Sequence, residues 1–196
     1  MAIPTPHSHT PSAQTRAVPA QDGGQPDDIV EQVMADHRRI RRLTQVVHEA
    51  ARDSGASDCL LADAWQRLAD LLEVHTRAEE EICYLPMFGS GPTAAERRRE
   101  AVSCHDDIRD AISETSLRPV GSPPWWRAAH AVLTAAAEHL DREERVIQAS
   151  WIPRLTASTR RELGRQWSAF AVAWRQDAPA TSASEAPYAR NAQTYR

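Results

Sequence analysis

Residues 59–84 read CLLADAWQRLADLLEVHTRAEEEICY. Leu61, Trp65, Leu68, Leu72, His75, Glu79 and Ile82 recur at intervals of three and four, the spacing of one face of an α-helix. That face is apolar until it reaches His75 and Glu79, which lie one turn apart on the same side. A helix that buries this stripe buries a nitrogen donor and an oxygen donor with it. The helix is expected to run from about Cys59 to Tyr84 and to stop before Pro86, because the residue preceding a proline is pushed out of the α region.

The same arrangement returns further along the chain. Trp125, Ala128, Val132, Ala136, His139, Glu143 and Val146 form a second stripe in which histidine and glutamate are again four apart, on a helix ending before Pro153. Two other stripes each carry one histidine: Val30, Val33, His37, Ile40, Thr44 and Val47, and Ala101, His105, Ile108 and Ile112. Asp28-Ile-Val-Glu31 reads as a capping box opening the first helix, and Gly55 closes it. Ser90-Gly91-Pro92 is a turn, Thr93-Ala-Ala-Glu96 caps the third helix, and the prolines between Pro119 and Pro124 are placed to start the fourth. A shorter fifth helix from about Ser158 to Trp174 presents Leu163, Trp167, Phe170 and Trp174 to cover the others. No stretch alternates with a period of two. The expected fold is all-α: an up-down-up-down antiparallel four-helix bundle over residues 27–176, with a short fifth C-terminal helix. Residues 1–26 and 177–196, rich in small and polar residues and proline, are expected to be disordered tails.

Composition narrows the functional classes. At 196 residues, 41% of them hydrophobic, the chain suffices for one core. A net charge of −4 argues against non-specific nucleic-acid binding, and Arg38, Arg39, Arg41 and Arg42 read as a solvated helix face. Cys59, Cys83 and Cys104 form no C-x-x-C and no disulfide framework, which fits a reducing cytoplasm; all three read as small buried hydrophobes. No stretch approaches the roughly 20 apolar residues of a membrane span. His7 and His9, in the N-terminal tail, make a poor specific site.

What remains is one inward histidine per helix and two inward glutamates. Burying two carboxylates without partners costs several kcal/mol each, and metal cations convert that cost into binding energy that also holds the helices together. Two ions, each with two of His37, His75, His105 and His139 and sharing Glu79 and Glu143, would satisfy all six. The nitrogen and oxygen donor set suits iron, manganese or zinc. Glu80 and Glu144 compete for the same role, but they are turned about 100° further round, toward solvent or arginine partners. His48 lies about 16 Å along the axis from His37, and His130 is on the far side of its helix from His139, so neither is expected to be a ligand. Tyr84 is turned about 180° from His75 and is not expected to hydrogen-bond in the site.

The stretches DHRRIRRL (36–43), HTRAEEEICYLP (75–86), CHDDIR (104–109) and HLDREE (139–144) together resemble the hemerythrin-like, or HHE cation-binding, domains over roughly residues 28–175. The resemblance implies a four-helix bundle around a non-heme di-iron centre that binds oxygen and, in relatives, nitric oxide or peroxide, with iron favoured over manganese or zinc. It implies His37, His75, His105 and His139 as imidazole ligands and Glu79 and Glu143 as bridging carboxylates. Two departures stand out. Oxygen carriers of the family have a second histidine four residues after the one on the third helix, where this chain has Arg109. Their last helix places an aspartate five residues after its histidine; here Glu143 is four after His139 and Glu144 five after. A missing ligand opens one iron, which shifts the expectation from reversible carriage toward peroxide, nitric oxide or oxygen handling or sensing, or toward an oxidoreductase with catalase-like or oxidase chemistry. The expected partner is a small diatomic or peroxide ligand, not nucleic acid or membrane.

Overall fold

Helix α1 (Ile29–Arg52) begins at Asp28, whose Oδ1 accepts the backbone N–H of Val30 at 2.9 Å. In the computed structural model, which describes residues 27–52 and 58–177, it is followed by α2 (Asp58–Ala78), a π-helical turn (Glu79–Cys83) and α3 (Tyr84–Phe88). Next come α4 (Pro92–Ser116), α5 (Pro123–Val146), a second π turn (Ile147–Trp151), α6 (Ile152–Arg154) and α7 (Ala157–Asp177). The described residues contain no strand. Gly55, residues 1–26 and residues 178–196 lie outside the described residues, while Asp177, expected to open the C-terminal tail, ends α7. None of the described helices is long and apolar enough to cross a membrane.

The architecture is the expected all-α bundle of α1, α2, α4 and α5, with α7 added against α1 and α2. Neighbours run antiparallel. Along α1, His37 reaches Glu144 and Arg41 reaches Asp141, and along α4, His105 reaches Glu80 and Arg109 reaches Thr76. In each pair the partner number falls as the residue number rises.

The core is divided. One apolar cluster contains Ile40, Val47, Leu61, Trp65, Leu68, Leu72, Ile108, Ile112, Trp125 and Leu140; the other contains Ile29, Val33, Ala78, Ile82, Ile147, Trp151 and Trp167. The inward histidines and glutamates lie at the junction. His37 falls between Val33 and Ile40, His75 between Leu72 and Ala78, and Glu143 between Leu140 and Ile147. The polar layer is thus closed off by hydrocarbon on both sides.

Three boundaries differ from expectation. Thr93 does not cap the third helix: α4 starts at Pro92, with Gly91 as its cap residue and no side-chain capping bond. Proline is preset for the first helical position and brings no N–H that needs a cap, so the helix starts two residues early. Helical structure also continues past Pro86 and Pro153. Each proline sits in the first turn of a short helix that restarts after a π turn, where a missing N–H breaks no i→i−4 bond. Ser122 caps α5, accepting from the Trp125 N–H at 3.3 Å, just ahead of the prolines expected to start it.

Helix α7 is seated by a close backbone approach. Gln32 Nε2 donates to the Gly164 carbonyl at 2.8 Å, Ser168 Oγ donates to Gln32 Oε1 at 3.1 Å, and Arg160 pairs with Asp28 at 3.0 Å. A Cβ at Gly164 would collide with the Asp27 carbonyl oxygen. Alanine would add about 1 kcal/mol of helix propensity, but forced overpacking costs about 1–3 kcal/mol. Gly164→Ala is therefore expected to lower the melting temperature by a few degrees in a thermal melt. A melt raised by the substitution would contradict this docking of α7.

Candidate metal centre

Each half of the chain carries the same two motifs. H-x-x-I-R occurs at His37–Arg41 and at His105–Arg109; H-x-x-x-E-E occurs at His75–Glu80 and at His139–Glu144. On a helix the first and fifth positions of such a motif share a face, so each His–Glu pair points the same way.

All six predicted site residues are buried in one layer. The imidazole centroids of His37 and His75 are 5.1 Å apart, those of His105 and His139 4.7 Å, and those of His75 and His139 6.1 Å. Glu79 lies between them, with Oε1 3.0 Å from His75 Nε2 and Oε2 3.0 Å from His105 Nε2 and 3.4 Å from His139 Nε2. Glu143 Oε2 is 3.0 Å from His37 Nε2, 3.8 Å from His75 Nε2 and 3.7 Å from His139 Nε2. The donor atoms of His37, His75, Glu79 and Glu143 all lie within 4.8 Å of one another, and so do those of Glu79, His105 and His139. The two groups share Glu79.

Of the paired glutamates, the first of each turns inward and the second outward. Glu80 Oε1 lies 2.8 Å from His105 Nδ1 and accepts from Arg109 Nη1 at 2.9 Å. Glu144 Oε1 lies 3.0 Å from His37 Nδ1 and accepts from Arg41 Nη1 at 2.6 Å. Asp36 Oδ2 faces His75 Nδ1 at 3.9 Å.

Several other residues sit differently from expectation. Tyr84 is buried and its hydroxyl lies 2.9 Å from His105 Nε2. The reason is the π turn: its closing bond joins the Tyr84 N–H to the Glu79 carbonyl five residues back, so the downstream residues are rotated by about one position, or 100°. Of the three cysteines only Cys83 is buried; Cys59 is exposed and Cys104, partly exposed, accepts from Arg142 Nη1 at 2.6 Å. His48 and His130, in agreement with expectation, belong to neither donor group; they face each other with centroids 6.3 Å apart. Arg41 and Arg109 join the site; their common position four residues after an inward histidine places them on that face, although charge patterning reads Arg41 as part of a solvated face and the resemblance reads Arg109 only as a missing ligand.

The donor set fits a metal. Six buried atoms of the cluster have no hydrogen-bond partner: both nitrogens of His75, both oxygens of Glu79, His139 Nε2 and Glu143 Oε1. The 3.0 Å approach of His75 Nε2 to Glu79 is thus close but not aligned as a hydrogen bond. Buried polar atoms left without partners cost about 1–3 kcal/mol each, and two cations would satisfy them together.

Crowding sets the electrostatics of the metal-free layer. Burial pushes the His75 imidazole down, but the surrounding carboxylates of Glu79, Asp36 and Glu143 together outweigh it and raise its pKa well above the ordinary value. His105 is likewise raised, burial being overcome by its hydrogen bonds to Glu79 and Glu80. For Glu80, burial is outweighed by His105 and Arg109, which hold the carboxyl below its usual range. The hydrogen bond from Arg41 does the same for Glu144. Burial drives the Cys83 thiol upward, leaving it protonated and inert.

The family model for the hemerythrin HHE cation-binding domain matches residues 28–150, which includes every residue of the cluster. No curated protein and no solved structure matches the chain.

A raised imidazole stabilises the fold below its unfolded-state pKa and loses that contribution as pH rises through the folded-state value. The lowered carboxyls stabilise above their unfolded-state pKa and lose that contribution as pH falls through the folded-state value. The metal-free protein is expected to melt highest between these limits. Metal must displace the imidazole protons, so the metal-loaded protein is expected to keep or gain stability where the metal-free one begins to fall on the alkaline side. Parallel melts across pH check this; identical profiles with and without metal would contradict it.

Proposed function

Because the chain belongs to the hemerythrin HHE cation-binding domain family, we propose that its buried His/Glu layer holds two iron ions and binds O2, peroxide or nitric oxide, in handling or sensing these ligands. The observation that carries this reading is the set of six orphaned polar atoms walled in by two apolar clusters. Iron bound there would supply reversible ligand binding and electron transfer to O2, nitric oxide or peroxide.

The chain's own residues do the remainder. Glu79, with an oxygen toward each donor group, is suited to bridge them, and Glu143 reaches histidines of both. Their two negative charges offset part of the charge of two cations in a layer that water cannot screen. Leu72, Ile108 and Leu140 on one side and Ile82, Ile147 and Trp167 on the other exclude water from the donors. Trp167 of α7 packs edge-on against His75, with centroids 5.6 Å apart, and limits how that ring can turn.

A catalase-like breakdown of peroxide is the second reading, favoured by the inequality of the two donor groups. One gathers four protein donors and the other three, Glu79, His105 and His139. Arg109, where oxygen carriers of the family have a further histidine, turns its guanidinium to Glu80 and Asp106 and adds no donor. The less crowded ion would have room for exogenous ligands. A cytoplasmic setting suits the unpaired thiols and these redox ligands.

The test is to load the full chain with iron without air and add nitric oxide, azide or peroxide. New visible absorption with each ligand is expected, absent in Glu79→Ala. Oxygen evolution from peroxide would favour the catalase-like reading. No spectral response to any of the three would overturn the iron-ligand reading.

A further inference from the structure

Each of His37 and His105 uses its two ring nitrogens in different directions. Nε2 meets an inward glutamate, Glu143 or Glu79, at 3.0 Å in both cases. Nδ1 meets an outward glutamate, Glu144 at 3.0 Å or Glu80 at 2.8 Å. The oxygen that meets Nδ1 is also the one that accepts from an arginine four residues beyond the histidine, Arg41 or Arg109. The arginines are themselves held: Arg41 Nη2 donates to Asp141 Oδ1 at 3.0 Å, and Arg109 Nη2 donates to Asp106 Oδ1 at 2.6 Å. A chain of aspartate, arginine, glutamate and histidine is therefore built twice, once across α1 and α5 and once between α4 and the π turn that follows α2.

Such chains are more than surface ion pairing. An exposed pair contributes about 0–1 kcal/mol and would not explain a guanidinium whose side chain is only 9% exposed, as Arg109 is. A carboxylate on the outward nitrogen of a metal-binding imidazole fixes which nitrogen carries hydrogen and how the ring is turned. An arginine fork fixes that carboxylate, since it donates in a rigid planar geometry.

We propose that Glu80 with Arg109, and Glu144 with Arg41, are positioning residues of the metal centre, each pair holding its histidine with Nε2 turned into the cluster. This rests on the reading of the cluster as a two-metal site. The pairs are unequal: the Arg41 side chain is 45% exposed against 9% for Arg109. Water can replace much of what Arg41 does, so the Arg109–Glu80 pair carries the larger effect.

The test measures metal, not turnover. The full chain is stripped of metal and titrated with cobalt(II) against a competing chelator, following both affinity and visible spectrum. Glu80→Gln is expected to weaken one of two metals by about 10–100-fold and alter its cobalt spectrum, leaving the other near wild type. Arg109→Met is expected to do the same and Arg109→Lys to restore part of the loss. Glu144→Gln, at a partly exposed position where folding is safe, is expected to give a smaller loss confined to the other metal. Wild-type affinity and spectrum in both glutamine variants would overturn the proposal while leaving the two-metal reading standing. An equal loss at both metals, tracking a lower melt of the metal-free protein, would mark a purely structural role and also overturn it. A wild-type chain that takes up no cobalt would remove both.

Discussion

Four imidazoles and two carboxylates cannot rest in an apolar interior with only one another for partners. Taking an ion out of water costs several kcal/mol even after relaxation, and pairing offsets that only when the remaining hydrogen bonds are made. In this protein the outward side of the layer is satisfied at His37 and His105, while His75 Nδ1 has no hydrogen-bond partner. Glu80, Glu144 and their arginines take up the outward nitrogens of His105 and His37. The inward half is open, with both oxygens of Glu79 unpartnered between two hydrocarbon layers. The helix placement, the split core and the repeated motifs all converge on that layer, which makes sense as a structure if cations complete it.

Most of the fold and the inward cluster are legible in the sequence because helix periodicity is strict. A residue four positions after another must lie on the same face, so His75 with Glu79 and His139 with Glu143 can be placed inside without knowing any neighbour. The choice of Glu143 over Glu144 comes from the same 100° step, and the structure turns Glu143 inward and Glu144 toward Arg41. Helix starts are legible where one residue decides them, as the prolines do at the head of α5.

What periodicity cannot see lies where the helix departs from it. Counting by 100° puts Tyr84 on the wrong side because the π turn at Glu79–Cys83 shifts everything after it, and no local composition signal marks such a turn. The continuation past Pro86 and Pro153 has the same origin. Residue type alone points to burial of Cys59 and Cys104, although their positions lie off the apolar stripes and neither is buried. The roles of Arg41 and Arg109 depend on contacts between helices far apart in sequence, which a face assignment does not contain. The seat of helix α7, which lies beyond the matched residues 28–150, includes a close approach of Gly164 to the Asp27 backbone, a contact with no sequence pattern.

The most direct measurement is anomalous diffraction at the iron absorption edge from crystals of the iron-loaded chain. Two peaks inside the bundle are expected, one among His37, His75, Glu79 and Glu143 and one among Glu79, His105 and His139, with Glu79 between them. Iron found only at surface carboxylates, with the inward imidazoles unoccupied, would contradict the two-metal layer.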